Sequence, residues 1–318
     1  MYSLGIDIAK ATFEVCLLGG KQVQYHQFSN NPAGFKQLAT WLKEQGVEQV
    51  HACMEATNVY YEALAYELSQ QGQTVSVVNP LQIKAFRESR LRRTKNDRQD
   101  AWLIALFCQQ QAPAAWRPLS PEQRTLQALV RHLDTLGQDL RQQSNRLESC
   151  RDEAVAASLE RLSALIKEEM TAVETTIQTH IDQHPKLKNQ HDLLQTIPGY
   201  GAKTAAKVLG DLPHLAEYAS AKEAAADVGL TPLEHQSGHS ILGKPRLSKI
   251  GKARLRKSLY FPALVALRHN PIICALKERL QARGKAKMVI VGAAMRKLIH
   301  LAYGVLKHNR PFDPNYAH

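Results

Sequence analysis

Cysteine is sparse in these 318 residues: Cys16, Cys53, Cys108, Cys150 and Cys274 are widely separated, and no two form a CxxC pair. That spacing excludes a zinc module and a disulfide scaffold, and it suits a reducing cytosol. The 13 histidines form no HExxH array, so the zinc-hydrolase signature is missing too. No apolar run approaches the length of a membrane span. The N-terminus carries Asp7 and Lys10 inside a strand-like segment, which is not the pattern of a signal peptide. A cytoplasmic protein without a membrane partner is expected. Acidic charge is scarce as well, with 29 Asp and Glu against 41 Lys and Arg and a formal net charge of +12. An excess of that size points to a polyanion, nucleic acid before anionic membrane. What is present is otherwise ordinary: 44% hydrophobic and 22% charged residues, in a chain long enough for two or three modest domains.

The first hundred residues alternate between two periodicities. YSLGIDIA, TFEVCLLG and VQYHQFSN read as three short strands at meander spacing. NNPAGFKQLATWLKEQG then opens on Asn and Pro, repeats apolar residues at helical spacing and stops at Gly46. A strand (VEQVHACMEA), a helix ending at Gly72, a strand (QTVSVVNP) and a short helix over Leu81 to Ser89 follow, and Asp97 opens another helix, DRQDAWLIALFCQQQ. Three strands, helix, strand, helix, strand, helix is the element order of an RNase H-like (RuvC-like) fold, expected over residues 1–111. The proline-rich APAAWRPLSPEQ predicts a linker over 112–121. Apolar stripes through Leu126, Leu129, Leu133, Leu136, Leu140 and Leu147, and through Leu159, Leu162, Ile166, Met170, Val173, Ile177 and Ile181, predict two coiled-coil helices over 122–184. They pair either as an antiparallel hairpin or between molecules. Residues 190–318 read as a compact, basic, helical domain. The fold class is therefore α/β plus α.

Two segments of the second half suggest phosphate contacts. LLQTIPGYGAKTAAKVL has the pattern of a helix-hairpin-helix motif, in which Gly199 and Gly201 permit a tight turn. The second helix then presents free amides to a phosphate, with Lys203 beside them. An ordinary αα-corner is the plainer reading. Between His235 and Lys277 there is no acidic residue, and Lys244, Arg246, Lys249, Lys252, Arg254, Arg256 and Lys257 crowd into one short stretch. A solvated basic face is the bland account, but cations without local carboxylates repel one another unless a polyanion neutralises them.

Asp7 sits among apolar residues in a strand fit for burial, where a lone carboxylate is costly. Glu55 stands at a strand end, and Asp97 and Asp100 share one face of a helix. Each could be a cap or a salt-bridge partner of the basic stretch around TKNDRQDA. In the RNase H-like order, however, all four come to one end of the sheet. A set of carboxylates there suits Mg²⁺, with Mn²⁺ able to substitute, as in metal-assisted phosphodiester chemistry. GIDIAKATFEVCLL also has the look of the first phosphate loop of actin-like sugar kinases, but those need a second nucleotide-binding domain with glycine-rich loops. Here coiled-coil and basic helices follow instead.

GIDIAK, CMEATNVYYEAL and NDRQDA, followed in order by IPGYGAKTAA, VGLTPLEHQSGHS and RLSKIGKARLRKSLY, resemble the DEDD-type transposases of bacterial insertion sequences. The resemblance spans nearly the whole chain. It implies an acidic tetrad of Asp7, Glu55, Asp97 and Asp100, and a catalytic serine at Ser237. The residues alone give no preference for Ser237 over Ser240, so that assignment belongs to the resemblance. It further implies a phosphoserine intermediate in DNA cutting and rejoining. A structured bridge RNA that pairs with target and donor DNA is implied too, as is a dimer or tetramer whose site is built between subunits, acting at the bacterial nucleoid. Asn58 stands where the family often has Gly after Glu-Ala-Thr; Asn tolerates positive φ, so the turn is expected to survive. A metal-dependent junction-resolving nuclease without a serine nucleophile, and a non-catalytic nucleic-acid scaffold, are the competing readings.

Overall fold

The computed structural model describes residues 2–19, 22–56, 59–90, 96–233, 236–237, 241–242 and 246–315. The chain forms two compact units, Met1–Pro118 and Leu119–His318. In the first, strands β1 (Tyr2–Ile8), β2 (Thr12–Gly19), β3 (Gln22–Ser29), β4 (Val50–Glu55) and β5 (Thr74–Val78) stand in the order β3-β2-β1-β4-β5. The first three form an antiparallel meander, and β4 and β5 run parallel to β1. Helices α1 (Pro32–Glu44) and α2 (Glu62–Gln70) make the crossovers, and α3 (Pro80–Ser89) and α4 (Asp97–Gln111) follow β5. This mixed α/β arrangement is consistent with the RNase H-like fold expected from the element order.

The helix starts follow from local chemistry. Asn31, Asn79 and Asn96 accept hydrogen bonds from the amides of Gly34, Leu81 and Gln99, satisfying donors that a helix N-terminus leaves unpaired. Strand alternation then sorts the side chains. Leu4, Ile6, Phe13, Val15, Ala52, Met54 and Val75 face α1 and α2, packing against Leu38, Leu42, Leu64 and Leu68. The opposite face carries Cys16 and Leu18 against Ala101 and Ala105, and Cys53 and Val78 against Ile83, Ile104 and Cys108.

Helix α4 lies unusually close to the sheet. A Cβ placed on Gly5 would fall 2.1 Å from the Ala101 carbonyl oxygen and 2.2 Å from the Ala105 nitrogen. Farther along, the Cys108 thiol donates to the His51 carbonyl at 3.4 Å. The helix therefore runs antiparallel to β1, with its N-terminus at the C-terminal ends of β1 and β4.

Residues beyond α4 are tied back to the sheet edge. The Trp116 amide donates to the Val75 carbonyl at 2.6 Å. The buried Ser76 hydroxyl lies 3.0 and 2.9 Å from the Pro113 and Ala114 carbonyls and 2.7 Å from His51 Nε2. Its single proton serves the carbonyls, so His51 Nε2 carries the hydrogen that reaches Ser76.

The second unit is helical: α5 (Pro121–Ser149), α6 (Glu153–Gln183), α7 (Pro185–Gln195), α8 (Ala202–Asp211), α9 (Ala221–Asp227), α10 (Ala253–Ser258), α11 (Tyr260–His269), α12 (Pro271–Ala282) and α13 (Lys287–His308). Two-residue strands β6 (Pro232–Leu233), β7 (Gln236–Ser237), β8 (Ile241–Leu242) and β9 (Arg246–Leu247) lie between α9 and α10. Helices α5 and α6 form an antiparallel hairpin whose Leu126, Val130, Val173, Ile177 and Ile181 enter the same core as α7 to α13. The seam departs from the expected stripe at one point. Ser163 is buried, and Leu162 is 42% exposed. From Leu159 the inward positions step by four, to Ser163, and then by three, to Ile166, which turns Leu162 outward. Another expectation needs correcting: by length and composition α13 could cross a membrane. It is the central core helix, with Ala294, Leu298, Ile299 and Ala302 fully buried, and that burial accounts for its apolar character.

Gly5→Ala should cost about 3 kcal/mol, because the methyl group meets backbone that cannot swing aside; calorimetry should show the unfolding transition lowered by several degrees. Burial holds the His51 pKa below 6.5. The folded protein then binds fewer protons than the unfolded chain, so this stabilisation is complete above 6.5 and is lost as pH falls toward the folded-state value. Urea melts across that range should show the loss in the wild type and a flatter profile in His51→Gln.

Candidate functional site

The sheet register sets three carboxylates side by side. In β1 and β2, Asp7 is directly opposite Glu14. In β1 and β4, Ile6 pairs with Met54, so Asp7 and Glu55 occupy the next rung. By alternation all three are on the α4 face, about 5 Å apart from strand to strand. The N-terminus of α4 comes to this same end. Asn96 caps it, which puts Asp97 and Asp100 in the first turn. Asp97 is exposed and Asp100 is buried.

Cations thread through the cluster. Arg87 of α3 donates from Nη2 to Asp100 Oδ1 at 2.7 Å, and both side chains are largely buried. The Arg98 guanidinium lies 4.2 Å from the centre of the Tyr25 ring. Burial raises the pKa of Glu14 most; Arg98 opposes the rise, the Asp97 charge adds to it and His26 lowers it. Asp7 and Glu55 are themselves engaged by neighbouring groups.

As a donor set, carboxylates from β1, β4 and the first turn of α4 fit a hard divalent cation. Among the described residues, though, no three acidic, histidine or cysteine side chains close around a single point. Arg87 instead supplies the positive charge beside Asp100. Arg92, Arg93 and Lys95, of the basic stretch around TKNDRQDA, lie outside the described residues, as does Asn58. Arg87 and Glu14 were missed. Glu14 was in principle findable, since a three-residue turn between β1 and β2 places it across from Asp7.

In the helical unit, Ser237 belongs to β7 and pairs with Ile241 of β8. The segment that carries this hairpin has a pinned base. Strands β6 and β9 pair, Lys252 N donates to Asp227 O at 2.8 Å and Arg256 Nη1 donates to Val228 O at 2.9 Å. Gly251, at φ +123°, allows the close approach: a Cβ there would fall 2.1 Å from Asp227 O. Lys244 and Ser240 lie outside the described residues.

The basic run is less uncompensated than it reads in one dimension. Arg254 Nη2 is 3.1 Å from Asp134 of α5, which also binds Lys207, and Lys252 is 3.3 Å from Asp227. Arg246, Lys249 and Lys257 are exposed. Helices α7 and α8 are joined by a turn in which Gly199 has φ +112°. A Cβ at Gly199 would also press on Ala266, 2.8 Å away. Gly201 is the N-cap of α8, and Lys203 pairs with Glu174 at 2.7 Å.

Arg87→Ala should destabilise the protein by about 1–3 kcal/mol, because it leaves the Asp100 carboxylate buried without its guanidinium. In a double-mutant cycle of chemical melts, adding Asp100→Asn should recover part of that loss; strictly additive effects would show the pair to be uncoupled.

Comparison with known proteins brings the two halves together. A family profile described as Transposase matches residues 4–156, and one described as Transposase IS116/IS110/IS902 family matches residues 191–278. The pilin gene-inverting protein of Moraxella bovis is 34% identical over 98% of this chain and 97% of its own length. The protein of the same name from Moraxella lacunata is also 34% identical, over the same shares. The transposase for insertion sequence element IS1111A of Coxiella burnetii is 23% identical, over 84% of this chain and 78% of its own.

Proposed function

The chain belongs to the IS116/IS110/IS902 family of transposases, enzymes that cut and rejoin DNA, and from that premise we propose that it does so through a phosphoserine on Ser237 and an acidic tetrad of Asp7, Glu55, Asp97 and Asp100. The observation that carries the reading is the rung shared by Asp7 and Glu55, with the first turn of α4 brought to the same end of the sheet. Relatives whose name denotes inversion of a gene support recombination over simple cleavage, because inversion requires that cut ends be rejoined.

In the proposed reaction the Ser237 hydroxyl oxygen bonds to the phosphorus of a DNA phosphodiester as the bond to the 3′ oxygen breaks. The serine proton is taken up by a general base and delivered to the departing 3′ oxygen, which leaves as a hydroxyl. Attack by the 3′ hydroxyl of another strand reverses these steps and releases the serine. Residues Asp7, Glu55, Asp97 and Asp100 would hold Mg²⁺, or Mn²⁺ in its place. When bound, the ion supplies charge stabilisation at the phosphoryl oxygens and lowers the pKa of the attacking hydroxyl. Before the ion enters, Arg87 and Arg98 temper the repulsion within the cluster.

The helical unit would grip the nucleic acid. Exposed Arg246, Lys249 and Lys257 offer sequence-independent phosphate contacts, with Lys244, Lys252, Arg254 and Arg256 of the same run. The turn at Gly199 and Gly201, with Lys203, is assigned a helix-hairpin-helix role. Choice of target and donor DNA falls to a bridge RNA, and the working form is a homo-oligomer acting at the nucleoid.

Incubating wild-type protein with target DNA, donor DNA, candidate RNA and Mg²⁺ should yield a covalent protein–DNA adduct on denaturing gels. Ser237→Ala should abolish it, and Ser240→Ala should retain it. Strand cleavage by Ser237→Ala with no adduct would sink the serine step and favour activated water. Unchanged activity in Asp7→Ala and Asp97→Ala would remove the tetrad from the chemistry.

A further inference from the structure

Helices α10 and α11 form one nearly continuous rod. Leu259 between them keeps helical dihedrals, its amide bonds to Leu255 O at 3.1 Å, and the Ala263 amide bonds to Leu259 O at 3.0 Å. Along this rod Lys257, Phe261, Val265 and Arg268 recur at helical spacing, within a sector of roughly 80°. All four are exposed. Phe261, at 74%, is the most exposed large apolar side chain among the described residues, and Val265 follows one turn on at 47%.

A phenyl ring left in water forgoes much of the stabilisation its burial would bring, so its position asks for an occupant. Three observations restrict what that occupant is. No acidic residue occurs between His235 and Lys277. Among the described residues, neither Lys257 nor Arg268 forms an ion pair. The ring is also preorganised: Tyr260, itself packed against the core, meets Phe261 edge-on with centroids 5.4 Å apart and planes at 81°.

We propose that this face is a stacking platform for an unpaired nucleobase, with Phe261 under the base and Lys257 and Arg268 on the flanking phosphates. Flat aromatic rings set between cations suit single strands, since every base offers a π-face and every linkage a charge. A base inside a duplex is already stacked on both sides and gains little from such a ring. A second copy of the chain is the other available occupant. A two-fold contact through this face would set the cations Lys257 and Arg268 of one copy against those of the other, a repulsion that a polyanion converts to attraction.

The inference rests on the family's work on nucleic acid but not on the serine step, and it is read by binding, so a failed adduct experiment leaves it testable. Full-length protein is titrated into short single-stranded DNA, single-stranded RNA and duplex DNA, each containing 2-aminopurine. Phe261→Ala and Phe261→Leu should weaken binding of unpaired strands about tenfold and relieve the quenching of the probe, and Phe261→Trp should restore both. Duplex affinity should stay within about twofold. A stronger effect on the DNA or on the RNA strand identifies which one uses the platform. Equal losses on duplex and single strands would overturn base stacking. Unchanged affinity in Phe261→Ala, with a shift from oligomer toward monomer in sedimentation, would assign the face to self-association instead. Because the side chain projects into solvent, folding is not at stake, and circular dichroism should confirm that.

Discussion

Backbone contact between α4 and Gly5 is what the acidic cluster depends on. A helix normally stands off from a sheet by the depth of the side chains between them. Here a glycine on β1 faces Ala101 and Ala105, so helix and strand backbones meet directly. The close approach fixes where α4 begins along β1; Asp100 adjoins the contact and Asp97 lies one turn before it. The small thiols Cys16, Cys53 and Cys108 continue the tight packing on either side. Crowding of this kind brings the carboxylates of α4 to the end of the sheet where strand register has set Asp7 and Glu55. The arginines then set the electrostatic terms: Arg87 neutralises the buried Asp100, and Arg98 sits among Tyr25, Glu14 and Asp97.

The helical unit handles charge differently. Its basic run carries no acidic residue of its own, but Asp134 and Asp227 reach in from α5 and the end of α9. These pairs hold α10 against α5 and the end of α9, at the base of the segment that carries Ser237. Some cations of the run are therefore structural as well as positive. Arg246, Lys249 and Lys257 remain at the surface, and the rod of α10 and α11 adds an exposed aromatic ring to the same field. The unit's positive potential is thus partly spent on its own architecture.

Much of this was legible in one dimension, for identifiable reasons. Strand alternation and Asn-Pro starts are local signals, so element order and helix starts could be read from short windows. Asp7 announced itself because a carboxylate amid Leu4, Gly5, Ile6 and Ile8 is expensive unless something engages it. Leu162 misled because a helical stripe fits two neighbouring registers, and only the partner helix chooses between them. Arg87 escaped notice because nothing near it in sequence reveals that α3 packs beside the first turn of α4. Nothing in the sequence around Phe261 marks it as exposed, and only its three-dimensional surroundings show it turned outward.

By itself, then, the sequence determined the order of the elements, with scarce acid, abundant base and ordered motifs of a transposase. Those properties depend on residues a few positions apart, or on composition, and need no folding to be read. The tertiary structure decided which charges meet: Glu14 beside Asp7, Arg87 on Asp100, Asp134 on Arg254 and Lys207. Coulombic partnership depends on distance in space, and the sheet register and helix packing that set those distances come from the whole core acting together.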